Sequence, residues 1–244
     1  MPEAPPEKAQ LEKAKPDHAD LVSLVHEHIR NLIVRGRLAP GMRIVEATVA
    51  KRFGISRTPV RAALQRLQQE GYVNGAIRAQ RARPIVTSLT FEDARELFSI
   101  IGEIEGLGAE CAAELDAERR KEIAAELARI NHEYLRVATS PSPEADEIFA
   151  INSRFHQHLF DAATGPRLRA LHAAIAPQTE RYVRVYQRSV LDAVRPAVEE
   201  HEGIIAALET GDVTSVHAAM RAHWQKVATR LKKEIGSRGE IGTL

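Results

Sequence analysis

The run Gly54–Leu67, GISRTPVRAALQRL, limits the fold more than any other stretch. It opens on a tight turn and continues as a helix that is basic on one side and apolar on the other. Ser56 stands where an N-cap is expected, with a hydroxyl able to accept from the free amides of the first turn. Pro59 is tolerated because it falls in that first turn, where its missing N–H breaks no helical bond. Val60, Leu64 and Leu67 recur at i, i+4 and i+7 and form a stripe to bury. Arg57, Arg61, Gln65 and Arg66 lie largely off it. Such a helix packs on one side and offers guanidinium groups to phosphates and guanine edges on the other. This is the design of the recognition helix in a helix-turn-helix.

The flanking sequence extends the unit. Ile44, Val49, Ala50 and Phe53 give a short preceding helix one apolar face, and Gly54 ends it. Leu21, Val25, Ile29, Leu32 and Ile33 mark an earlier amphipathic helix. After the recognition helix, Gly71–Val73 and Arg83–Thr87 read as two extended pieces with Arg78, Gln80 and Arg81 between them, a wing with a basic tip. The expectation is a winged helix-turn-helix over residues 17–88, behind a Pro-, Lys- and Glu-rich tail, residues 1–16, expected to be disordered. Charge agrees. Residues 1–88 hold 15 Lys and Arg against 8 Asp and Glu, a net +7; the rest hold 19 against 25, a net −6, and the two return the +1 of the whole chain. A basic front suits a polyanion, and an acidic back would be repelled by one.

From Thr90 the periodicity is helical throughout. Ser88 or Thr90 can cap a helix running through Leu97, Ile101, Ile104, Leu107 and Cys111 to about Leu115. Further helices are expected over about 117–138, 144–163, 166–187 (kinked near Pro177), 190–210 and 212–235, each bounded by Pro, Gly or a capping Asp. The fold class is mainly α: the N-terminal winged helix-turn-helix, then an antiparallel all-α bundle of six or seven helices over 89–236, then a flexible tail over 237–244. No apolar run is long enough to span a membrane, and residues 1–16 lack the apolar core of a signal peptide. The single Cys111 allows no intramolecular disulfide and reads as a buried structural thiol. A cytoplasmic protein is expected.

Within the bundle, Asn152 and His156 stand at i, i+4 on one helix, and His201 and His223 each lie beside core-facing apolar residues on two later helices. Three imidazoles and an amide oxygen from three helices can converge on a divalent metal, Zn first, with Ni or Mn also suiting imidazole. His132, His158, His172 and His217 read as exposed or packing residues. An enzyme would need more than the chain offers: no HExxH-like arrangement, nucleophile constellation or phosphate-binding Gly loop is present.

The stretch LAPGMRIVEATVAKRFGISRTPVRAALQRLQQEGYV resembles the winged-helix domain of GntR-type bacterial transcription regulators. The helix order of the bundle, with FHxxLFDAATG and HxxIIAALExGD, resembles the FCD effector domain of the FadR branch, VanR-like or related. The resemblance implies that Arg57 and Arg61 contact operator double-stranded DNA, with Ser56 and Thr58 near its backbone and Arg78 and Arg81 as wing candidates. It implies a homodimer, and a regulator, most simply a repressor, that answers to a small anionic metabolite such as an organic acid. Three positions depart from the family pattern. Ala47 stands where Arg is frequent. Asn152 replaces the usual ligand Asp, which lowers metal affinity but leaves the ion's full charge to attract an anion. Ile101 replaces an Arg that would clamp a carboxylate, while Glu105 is kept. Glu105, Arg181, Arg184 and Arg188 are therefore the effector-binding candidates. A purely structural metal is the alternative to a sensor, with a metal-dependent hydrolase behind both.

Overall fold

The computed structural model describes residues 17–75, 84–185 and 194–242. They form two compact units. One runs to Leu89 and takes up the chain again from Ile241; the other spans Thr90–Glu240.

In the first unit, helix α1 (His18–Val34) starts at a reciprocal cap between Asp17 and Asp20. Helix α2 (Glu46–Phe53) ends at Gly54, whose φ of +66° is the left-handed conformation that Gly adopts without a Cβ penalty. Helix α3 (Arg57–Gln69) follows. Strands β1 (Val73–Asn74) and β2 (Ile85–Val86) pair antiparallel, with Val73 opposite Val86. Val25, Ile29, Val60, Ala63, Leu64, Leu67, Val73 and Val86 form one core. Each buried Leu or Val there is worth about 1.5–3 kcal/mol. The recognition stripe is thus packed, and the Arg side of α3 faces outward. The wing tip, with Arg78 and Arg81, lies outside the described residues, as does the segment 1–16.

The second unit is all helix among the described residues: α4 (Phe91–Ala113), α5 (Ala117–Ala138), α6 (Ala145–Asp161), α7 (Pro166–Val185), α8 (Val194–Thr210) and α9 (Val213–Arg238). Thr90 caps α4, Asp116 caps α5 and Asp212 caps α9 with side-chain bonds to first-turn amides. Pro177 sits inside α7. Helix α4 is the axis of the bundle. It packs most extensively on α9 and also meets α6, α7 and α8. Glycines make this possible. A Cβ on Gly106 would come within 2.8 Å of the His217 ring, and one on Gly108 within 2.5 Å of Phe160.

Five expectations need correction. Leu107, on the apolar run expected for α4, is 45% exposed, and Cys111, read as a buried thiol, is only partly buried. The rest of that stripe, Leu97, Ile101 and Ile104, is buried as expected, and the buried face takes in Ala94, Phe98, Glu105, Gly108 and Ala112 as well. Close helix approach selects the small residues Gly102, Gly106 and Gly108 within it. Ser56 takes the N-cap backbone conformation, but its exposed side chain makes no cap hydrogen bond. Water can serve those amides instead. His172 is buried and bonded to Glu105 rather than merely packing. The segment expected to be a flexible tail continues as helix to Arg238, and Ile241 then pairs with Leu89.

Candidate metal centre and recognition helix

His156 on α6, His201 on α8 and His223 on α9 meet in the bundle core, each 5% exposed or less. Each offers one ring nitrogen within 4.8 Å of the others. Their orientation is fixed from outside the cluster. His156 Nδ1 donates to Glu105 Oε2 at 2.8 Å, and His223 Nδ1 donates to Glu200 Oε2 at 2.8 Å. His201 Nδ1 donates to Asn131 Oδ1 at 2.9 Å, and Asn131 Nδ2 in turn donates to the Val198 carbonyl at 3.1 Å. The His201 ring also stacks on Phe155, with centroids 3.9 Å apart. With every Nδ1 bonded, the free lone pairs are those of Nε2. The Nε2 atoms of His156 and His201 are buried and have no hydrogen-bond partner. A buried nitrogen without a partner is costly unless something binds it.

The surrounding carboxylates are tied in turn. Glu105 takes Trp224 Nε1 at 2.8 Å on Oε2 and His172 Nε2 at 3.0 Å on Oε1. Burial pushes its carboxyl up, but the charge and hydrogen bonds of His156 and His172 outweigh burial and hold it well below the usual range. Burial also pushes Glu200 up, and the bonds from His223 and Arg230 bring it down to about 2. Desolvation is the main cause that lowers His201 far below its ordinary value, with His223, His156 and Arg230 adding to it. Desolvation likewise lowers His223 to about 4 against the opposing bond from Glu200. Imidazoles with Nδ1 anchored from outside and Nε2 turned inward are the donor set that a Zn-like ion prefers. Asn152 stands one turn before His156 on α6, half-buried. The residues present therefore fit a divalent metal.

The effector candidates are placed less openly. All three donors to Glu105 belong to the protein, so its carboxylate is a hub of the centre. Arg181 is buried in α7. Arg184 bonds Glu180 and Asp146 and covers the Phe149 ring. Arg188 lies outside the described residues. In the first unit, Arg57 and Thr58 are exposed at the start of α3. Arg61 is exposed and holds Glu46 through Nε at 3.3 Å and a terminal nitrogen at 3.0 Å.

Reading the sequence missed Asn131, His172, Glu200, Trp224 and Arg230 as supports of the centre. Two had a signal. Asn131 interrupts the apolar inner face Ile123, Leu127, Ile130, Tyr134 of α5, and a polar residue there needs a partner. Glu200 immediately precedes His201, and its neighbour on the next helix is visible only in three dimensions.

Among the described residues, no helix is long and apolar enough to cross a membrane. Residues 21–80 match the bacterial regulatory proteins of the gntR family, and residues 96–226, more than half of the chain, match the FCD domain. The HTH-type transcriptional regulator YdhC of Bacillus subtilis (strain 168), itself uncharacterized, is 31% identical over 147 residues, 60% of this chain and 62% of that protein, so less than two thirds of that relative is spanned. The HTH-type transcriptional repressor RspR of Escherichia coli (strain K12) is 26% identical over 209 residues, 86% of this chain and 88% of its own. The solved structure of E. coli McbR/YncC has the same fold at a TM-score of 0.65 and 20% identity, covering 87% of this chain and 97% of that one. YdhC and RspR are both named as transcriptional regulators. With a helix-turn-helix ahead of an all-helical C-terminal unit, the chain belongs to the GntR family of bacterial regulatory proteins, in the branch that carries an FCD domain.

Proposed function

We propose that the chain is a cytoplasmic, homodimeric repressor whose affinity for operator DNA is set by a metal-anchored anionic metabolite in the helical unit. His156, His201 and His223 hold the ion, with Asn152 as the fourth donor, and Zn suits the set first. When bound, the ion would supply positive charge at a histidine cluster with no carboxylate among its proposed ligands, which favours an anion such as an organic acid. The chain's own residues do the rest: Glu105, Asn131 and Glu200 fix the rings, and Phe155 and Trp224 exclude water. The observation that carries the reading is the pair of buried Nε2 atoms on His156 and His201, without partners and facing a third imidazole. The repressor reading draws on RspR, which is named as one.

On the DNA side, exposed Arg57 and Arg61 on α3 read bases, and two such helices in a dimer match half-sites about one helical turn apart. A small change in their spacing is then enough to release the operator.

The test begins with metal content by mass spectrometry, on wild type and on the His156→Ala, His201→Ala double variant. About one equivalent in the first and none in the second is expected. An empty wild type after Zn reconstitution would overturn the metal centre. For the DNA side, Arg57→Ala and Arg61→Ala each cost about 1–3 kcal/mol in operator binding. Unchanged affinity in a gel shift would remove α3 as the reader. A purely structural metal is separated from a sensor by metal-dependent melting with no response of operator affinity to organic acids.

A further inference from the structure

We propose that Glu46 is a positioning residue for base recognition: its carboxylate holds Arg61 so that the outer edge of the guanidinium is presented to a guanine. The proposal rests on the recognition-helix reading above and deepens it, by giving the first turn of α2 a share in base specificity.

Glu46 opens α2, and Arg61 stands in the second turn of α3. The two helices are fixed to one another by Ala50, Val60 and Leu64, which are buried in one core. Nε of Arg61 donates to Glu46 Oε1 at 3.3 Å and Nη2 donates to Glu46 Oε2 at 3.0 Å, so one edge of the guanidinium engages both carboxylate oxygens. The Glu46 side chain is 11% exposed, so packing as well as bonding holds it, while that of Arg61 is 48% exposed. The last turn of α2 carries Lys51 and Arg52, whereas its first turn carries Glu46 and, next to it, the uncharged Ala47.

An ion pair with so exposed a partner adds little to stability. Its effect is on what α3 presents. A guanidinium carries its five N–H donors in one rigid plane. With the Nε edge tied to Glu46, the edge formed by the two terminal nitrogens is directed away from that carboxylate. The paired donors of this second edge match O6 and N7 of guanine. Ordering Arg61 before binding also removes part of the entropy that a long side chain loses at an interface. The carboxylate works against the wrong contact as well. For Arg61 to swing onto a phosphate, it must leave Glu46 unpaired beside a polyanion, and no base contact offsets that cost. Glu46 therefore favours guanine and disfavours non-specific binding. A pair that served only the fold would not separate those two effects.

The test uses the full chain and a pool of random DNA duplexes. Selection on wild type and on Arg61→Ala finds the guanine whose enrichment depends on Arg61. At that position, Glu46→Ala should lower the preference for guanine over the other bases roughly tenfold, within the range of one bidentate base contact. The same variant should bind an unrelated duplex of equal length at least as tightly as wild type does. Glu46→Gln, which keeps one acceptor oxygen, should fall between wild type and Glu46→Ala. An unchanged guanine preference in Glu46→Ala would overturn the proposal. Equal losses on the selected and the unrelated duplex, in Glu46→Gln as well as Glu46→Ala, would also overturn it, since the pair would then only support the fold. A selection that shows no base dependent on Arg61 would instead overturn the reading of Arg61 as a base reader, and the positioning role of Glu46 falls with it.

Discussion

At the scale of single residues, Glu105, Asn131 and Glu200 decide what the three histidines can do. Each accepts one Nδ1 proton, which sets the tautomer and turns the other ring nitrogen inward. Such partners usually matter about 10–100-fold to metal affinity. The histidines were legible in the sequence because each sits at helical spacing beside apolar residues. Their supports were not, because Glu105 reaches His156 across 51 positions and Asn131 reaches His201 across 70. Asn152 is the position where one substitution should change the ion's field. A carboxylate near an ion gains about 4 kcal/mol per unit charge at 4 Å and an effective dielectric of ~20, and its own desolvation removes a good part of that. Asn152→Asp is therefore expected to tighten Zn(II) binding on the order of tenfold, about 1.4 kcal/mol. Competition titration against a chelator checks it. No gain would mean that Asn152 does not reach the ion.

At the scale of elements, helix existence was readable almost throughout, and helix faces were less so. Helix α5 (Ala117–Ala138) falls on the expected span, since Asp116 caps it and the Pro141–Pro143 segment closes off its far end. On α4 the expected stripe holds at Leu97, Ile101 and Ile104, which are buried, and fails at Leu107, which is exposed. In a helix surrounded on several sides, the closest contacts need the smallest side chains, so Gly102, Gly106 and Gly108 mark the core there. Caps show a parallel distinction between residue type and bond made. Asp212 accepts from Thr214 N at 3.0 Å and Ser215 N at 3.2 Å at the start of α9, whereas Ser56 makes no such bond at the start of α3. A cap that bonds is worth about 1 kcal/mol. Asp212→Ala should therefore cost about that much in urea unfolding, and Ser56→Ala only a few tenths of it. Equal losses would mean that the Ser56 hydroxyl does cap α3 in solution.

At the scale of the molecule, the charge divides as the two units do, with the net positive part ahead of residue 89 and the net negative part behind it. That division keeps the helical unit from competing for the polyanion that the first unit is shaped to meet. It also leaves the histidine centre among acidic groups, with Glu105 and Glu200 both held ionised. A cation there would offset the buried charge of Glu105 and satisfy the orphan Nε2 atoms together. The folded helical unit should therefore bind Zn(II) far better than the unfolded chain does, and binding should appear as stability. At a free ion concentration about 100 times Kd, the gain is about 2.7 kcal/mol. For a unit of this size that raises its melting temperature by roughly 5–10 °C. Melting followed by Trp224 fluorescence reads this unit directly, since Trp224 lies within it and donates to Glu105. The His156→Ala, His201→Ala variant should melt at one temperature with Zn(II) or with chelator. If wild type also melts without regard to Zn(II), the three imidazoles hold no ion in solution. The orphan nitrogens would then have to be served by an organic effector that bonds them itself.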